Sequence, residues 1–111
     1  MTRLFVIPTL LLTAGFATAQ GPVEVKAHTA LVHSIAFSPD GKWFATAGFD
    51  KTAKLFEWTN GTLKEARTLT GHTETVYCVA FSPDSKTLAT SSFDKTIRLW
   101  NVADGKPGHE L

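Results

Sequence analysis

The chain is expected to be all-β, built as two consecutive four-stranded antiparallel sheets joined by short turns. Three observations predict this. The stretch from Ala36 to Phe56, AFSPDGKWFATAGFDKTAKLF, recurs from Ala80 to Trp100 as AFSPDSKTLATSSFDKTIRLW. Matched residues such as His28 and His72, or Asp50 and Asp94, all lie 44 apart with nothing inserted or deleted, and a fixed period of that size marks an architecture of repeated units. Within each copy, short runs rich in Val, Ile, Thr and aromatic residues alternate apolar with polar side chains and stop at Pro, Gly, Asn or Asp, the pattern of strands linked by tight turns. Helical periodicity is nowhere convincing after the N-terminal stretch.

That N-terminal stretch, MTRLFVIPTLLLTAGFATAQ, has a basic residue at Arg3, an apolar run from Leu4 to Leu12 and small residues ending in Ala17-Thr18-Ala19. These are the three parts of a secretory leader, with cleavage expected after Ala19 and a secreted or periplasmic product beginning at Gln20. The leader reading is preferred to a membrane anchor because Pro8 and Gly15 interrupt a run shorter than the ~20 residues that span a bilayer. Residues 1–19 are therefore read as signal peptide and 20–111 as the two repeats, 28–71 and 72–111, the second with its outer strand cut short. Without Arg3 the mature chain has ten basic and ten acidic residues.

In the first copy, strands are expected near Leu31 to Phe37, Trp43 to Ala47, Ala53 to Trp58 and Lys64 to Leu69. The second copy repeats them near Thr75 to Phe81, Thr87 to Ser91 and Ile97 to Val102, with a fourth barely begun at His109 to Leu111. Val23 to Lys26 aligns with Arg67 to Thr70 and reads as one further outer strand. Asn60-Gly61 and Asp104-Gly105 are hairpin dipeptides, and in Pro39-Asp40-Gly41 the proline is pre-set for the first corner of a turn. Ser85 stands where the first copy has Gly41, which predicts a type I turn there without the conformation that favours glycine. Asn60-Gly61-Thr62 is also a glycosylation sequon, for which a tight turn is the preferred reading. Cys78, the single cysteine, aligns with Ser34 and is read as a buried space-filler in a fold without an internal disulfide.

Charges are scattered singly, eleven basic against ten acidic, without the basic stripe that phosphate binding needs. Nucleic acid is not an expected partner, nor is a membrane once the leader is removed. His28, His33, His72 and His109 have no Cys or carboxylate at metal-ligand spacing, and there is no phosphate-cradling glycine loop. No metal and no cofactor is expected.

The second copy, GHTETVYCVAFSPDSKTLATSSFDKTIRLWNV from Gly71, carries a Gly-His, then an Asp in a tight turn, then a strand ending in Trp100-Asn101. This resembles the WD40 repeat family, and the likeness covers most of Ala27 to Val102. The second copy departs by Asn101 in place of the terminal Asp. The first departs by Ala27 in place of Gly and by Phe56-Glu57 in place of Trp-Asp. The resemblance implies that each repeat is a four-stranded blade of a β-propeller, set radially around a channel and not closed by one chain. Val23 to Lys26 would then be an outer strand offered to a blade that this chain does not contain.

His72, Thr90, Asp94 and Trp100 have counterparts at His28, Thr46, Asp50 and Phe56. A hydroxyl with a His and an Asp has the parts of a hydrolytic triad, but the resemblance implies a structural hydrogen-bond chain that links the strands of each blade. The set occurs twice and no glycine-flanked serine elbow accompanies it, so the structural reading is preferred and no catalytic residue is expected. In this reading the first network is one bond shorter, because Phe56 has no ring N–H. Trp58 is a candidate substitute.

Phe49 and Phe93 precede the two turn aspartates, on the face that similar propellers use for partners. They are read either as anchors for a protein or peptide or as packing against the neighbouring blade. Two blades leave two apolar flanks open, beyond what a soluble monomer tolerates. Either copies of the chain associate, three or four completing a ring of six or eight blades, or the chain is a truncated product. The function implied is a non-catalytic, exported scaffold that binds proteins or peptides. The alternatives are a fragment or subunit of an extracytoplasmic propeller enzyme, or a nonfunctional remnant.

Overall fold

The structure, a computed structural model, describes residues 2–6 and 23–111, with side chains described from residue 26 onward. Most of the proposed leader, with its cleavage point after Ala19, lies outside the described residues. The strands are β1 (Thr2–Val6), β2 (Val23–His28), β3 (Val32–Phe37), β4 (Trp43–Gly48), β5 (Ala53–Thr59), β6 (Thr62–Leu69), β7 (Val76–Phe81), β8 (Thr87–Ser92), β9 (Ile97–Asn101) and β10 (Pro107–Glu110).

Strands β3 to β6 form one antiparallel meander and β7 to β10 a second, so each repeat closes a four-stranded sheet of its own. The turns follow the residues that make them. Asn60 (φ 50°) and Gly61 (φ 77°) form the two-residue loop between β5 and β6, with Thr59 opposite Thr62, the left-handed pair that a two-residue hairpin requires. Ser85 corrects the sequence reading, because it adopts φ 62° where Gly41 has φ 73°. That geometry disfavours a residue with a Cβ. The buried Ser85 side chain offsets the cost by accepting a hydrogen bond across the sheets, from the backbone N–H of Asp40 at 3.1 Å.

A second correction concerns β2. In the uncleaved chain it pairs with β1, Leu4 opposite Val25 and Val6 opposite Val23, in a two-stranded sheet; β1 lies within the proposed leader, so cleavage after Ala19 would leave β2 without this partner. The fourth strand of the second repeat likewise exists. Pro107 lies opposite Trp100 and Glu110 opposite Arg98, with Leu111 hydrogen bonded to Ile97 in both directions at 2.7 and 3.0 Å.

The main core lies between the two sheets. One face of the first, carrying Ala45, Ala47, Ala53 and Leu55, packs on the face of the second that carries Val76, Val79, Leu88 and Trp100. Small side chains on one side admit the large ones of the other, which is how two β layers reach interior packing density. Ala27, Phe44 and Phe56 form a smaller cluster on the far face of the first sheet.

Four polar contacts tie this joint. Ser34 Oγ accepts from the Val79 N–H at 3.4 Å, His33 Nδ1 donates to the Tyr77 carbonyl at 3.0 Å, Arg67 donates to the Ala103 carbonyl, and Asp40 donates to Ser85. Cys78, the repeat counterpart of Ser34, is exposed rather than buried. It lies opposite Ser91 on the outer face of the second sheet, the face that corresponds to the covered face of the first. The buried-thiol reading fails because equivalent positions in two stacked units have different neighbours.

Candidate functional site

The connections after β4 and β8 bring the duplicated polar residues together. In the second repeat, His72 Nδ1 lies 2.8 Å from Asp94 Oδ2, His72 Nε2 lies 2.7 Å from Thr90 Oγ1, and Trp100 Nε1 donates to Thr90 Oγ1 at 2.9 Å. A carboxylate only accepts, so Nδ1 carries the imidazole proton; the Thr90 hydroxyl then donates to Nε2 and accepts from Trp100. In the first repeat, His28 Nδ1 lies 2.9 Å from Asp50 Oδ1 and His28 Nε2 lies 2.7 Å from Thr46 Oγ1. Phe56 adds no bond. The ring N–H of Trp58 makes none to Thr46 among the described residues, and Trp58 is only half-buried.

Each aspartate also closes its own turn. Asp94 accepts from the backbone N–H of Thr96 at 2.8 Å and of Thr73 at 3.1 Å, and Asp50 from Thr52 at 3.2 Å and Thr29 at 3.3 Å. Burial disfavours the charge on both, but hydrogen bonds from Thr96 and His72, or from Thr52 and His28, outweigh it and hold both carboxyls below the ordinary range. Thr46 and Thr90 are fully buried. Each constellation thus ties a buried threonine of the sheet, through a histidine, to the aspartate of the following turn.

What they anchor is exposed. Phe49 and Phe93, one residue before each aspartate, are 41% and 62% exposed. They are the ends of a row of four rings. Phe49 stacks on His33 with centroids 5.5 Å apart, His33 meets Tyr77 edge-on at 6.5 Å, and Tyr77 stacks on Phe93 at 5.1 Å. The row crosses from one repeat to the other, held by the His33 contact with the Tyr77 carbonyl. The Phe49 and Phe93 rings therefore pack against this row and remain partly open to solvent.

His33 and Tyr77 were not singled out by the sequence, and the reason is local. Strand β3 pairs Val32 with Gly48 but Ser34 with Ala47, and β7 pairs Val76 with Ser92 but Cys78 with Ser91. Each inner strand thus bulges at the same repeat position, leaving His33 and Tyr77 outside the ladder. A bulge re-aims the extra side chain off the sheet face, whereas a strict period of two assigns it to that face. The available signal was an aromatic ring at one repeat position in both copies.

At the opposite end a cleft of about 420 Å³ lies between the two Ser-Pro-Asp turns, lined by Asp40, Lys42, Trp43, Asp84, Lys86 and Asn101 among others. Its carboxylates serve their own turns. Asp40 Oδ1 accepts from Ser38 Oγ at 2.6 Å and from the Lys42 N–H at 3.0 Å, and Asp84 has the same partners in Ser82 and Lys86. These bonds, the serine's first, hold both pKa values below normal.

Comparison with known proteins agrees with this architecture. The family model described as WD domain, G-beta repeat matches residues 22–57 and 63–101. The Notchless protein homolog of Arabidopsis thaliana is 38% identical over 53 residues, a stretch amounting to 48% of this chain and 11% of that protein. The match therefore spans only about a tenth of that relative's length. With both repeats matched and each folded as a four-stranded antiparallel sheet, the chain belongs to the WD40 repeat family.

Proposed function

We propose that this chain is a non-catalytic scaffold that binds a protein or peptide across the row Phe49, His33, Tyr77 and Phe93, and that it is exported by a leader cleaved after Ala19. The observation that carries the binding reading is the row itself. Large rings partly open to water are what interface anchors consist of, and here two buried networks hold the turns that present them. Rigid presentation lowers the ordering cost of association. Export rests on the Arg3, Leu4–Leu12 and Ala17-Thr18-Ala19 pattern.

The test selects peptides from a random displayed library on the purified chain and measures their affinity for Phe49→Ala and Phe93→Ala. Selected peptides should lose most of their affinity for both variants while the melting temperatures stay near that of the parent. Selected peptides that bind all three proteins equally would place recognition elsewhere.

A further inference from the structure

The free charges around the row favour one sign. Asp50 and Asp94 are committed to His28 and His72 and to their own turns. Lys51 and Lys95 follow them directly, both exposed, and each lies two residues beyond one of the terminal phenylalanines. The repeat thus puts one exposed lysine in each of the two turns that carry a terminal phenylalanine. Among the described residues, Glu74 on the connection before β7 is an exposed carboxylate of this edge, and Glu110 nearby is paired with Arg98 at 2.9 Å.

We propose that the row docks an extended acidic peptide, with apolar side chains on the rings and carboxylates at its two ends meeting Lys51 and Lys95. This rests on the reading of the row as the binding surface. The ring-to-ring steps of 5.1 to 6.5 Å are shorter than the ~6.7 Å between same-side residues of an extended strand, so three alternate side chains of such a peptide fit within the length of the four-ring row. A run of three apolar residues at every second position crosses both repeats, and acidic residues outside that run reach the two turns. Complementary charge at the rim of an apolar contact speeds encounter and sets orientation, and its contribution is screened by salt.

The experiment uses three fluorescein-labelled peptides with one core, Leu-Ser-Phe-Ser-Leu, flanked on both sides by paired Glu, paired Gln or paired Lys, titrated by anisotropy. The Glu peptide is expected to bind the chain about three- to tenfold more tightly than the Gln peptide at low salt, and the Lys peptide more weakly than either. Lys51→Gln with Lys95→Gln should bring the Glu peptide to the level of the Gln peptide and leave the latter unchanged. A Glu peptide indifferent to those substitutions, or a Lys peptide that binds as well, overturns the acidic assignment while Phe49→Ala still reports on the row. Binding by none of the three to the folded chain overturns the row as a docking surface as well.

Discussion

Replacing His72 with alanine should cost more stability than replacing His28, and the structure gives the size of the difference. Each substitution removes one bond to an aspartate and one to a buried threonine. Bonds to charged groups are worth about 1.5–3 kcal/mol and neutral ones about 1 kcal/mol, so each loss is about 2.5–4 kcal/mol before differences in surroundings. Two differences point the same way. The Asp94 side chain is 7% exposed against 16% for Asp50, so water compensates the stranded carboxylate less. Thr90 also accepts the Trp100 N–H, and losing His72 removes the acceptor that orients this hydroxyl, whereas Thr46 has no such third member. Together these add about 1 kcal/mol to the His72 loss, equivalent to roughly 4–8 °C in melting temperature for a domain of this size. Thermal unfolding of the two variants followed by circular dichroism gives the comparison. Equal shifts, or a larger one for His28→Ala, would refute the ranking and with it the importance of the tryptophan bond.

Gly48 lies against the His28 ring, and a Cβ there would come within 2.6 Å of Cγ and Nδ1. Gly48→Ala should therefore lower stability by about 2–4 kcal/mol through displacement of a ring held at both nitrogens, measured by urea unfolding with the parent as reference. Acid should act through Asp50 and Asp94. Their folded pKa values lie below 3.8, so the stability they contribute is fully present above the unfolded value and is lost as pH falls through the folded ones. Melting temperature should decline below about pH 4, and the decline should be shallower in Asp50→Asn, which has lost one of the two carboxylates.

The fold was legible because every strand is bounded by turn residues at the same place in both copies. The strand boundaries of β3 to β9 fall within a residue or two of those expected from alternation and punctuation alone. Four features were hidden, each for a physical reason. The bulges at His33 and Tyr77 break the period of two by one residue, so the row was visible only as its two terminal phenylalanines. The left-handed Ser85 is stabilised by a partner 45 residues away, Asp40, which no local rule contains. The exposure of Cys78 depends on which flank of a unit is covered, and that is set by neighbours rather than by the repeat. The pairing of β2 with β1 joins residues on either side of the stretch 7–22, beyond the reach of a reading organised by the 44-residue period.

The four polar contacts between the sheets occupy positions at which the two copies have diverged. Displaced by one period, Ser34 becomes Cys78, His33 becomes Tyr77, Arg67 becomes Leu111, and the Ser85 that receives Asp40 falls back to Gly41. A neighbour added by the same displacement would meet a greasy seam without latches. Any array assembled from this unit would alternate firm and slippery junctions, and dilution or pulling should part it at every second one, releasing intact pairs.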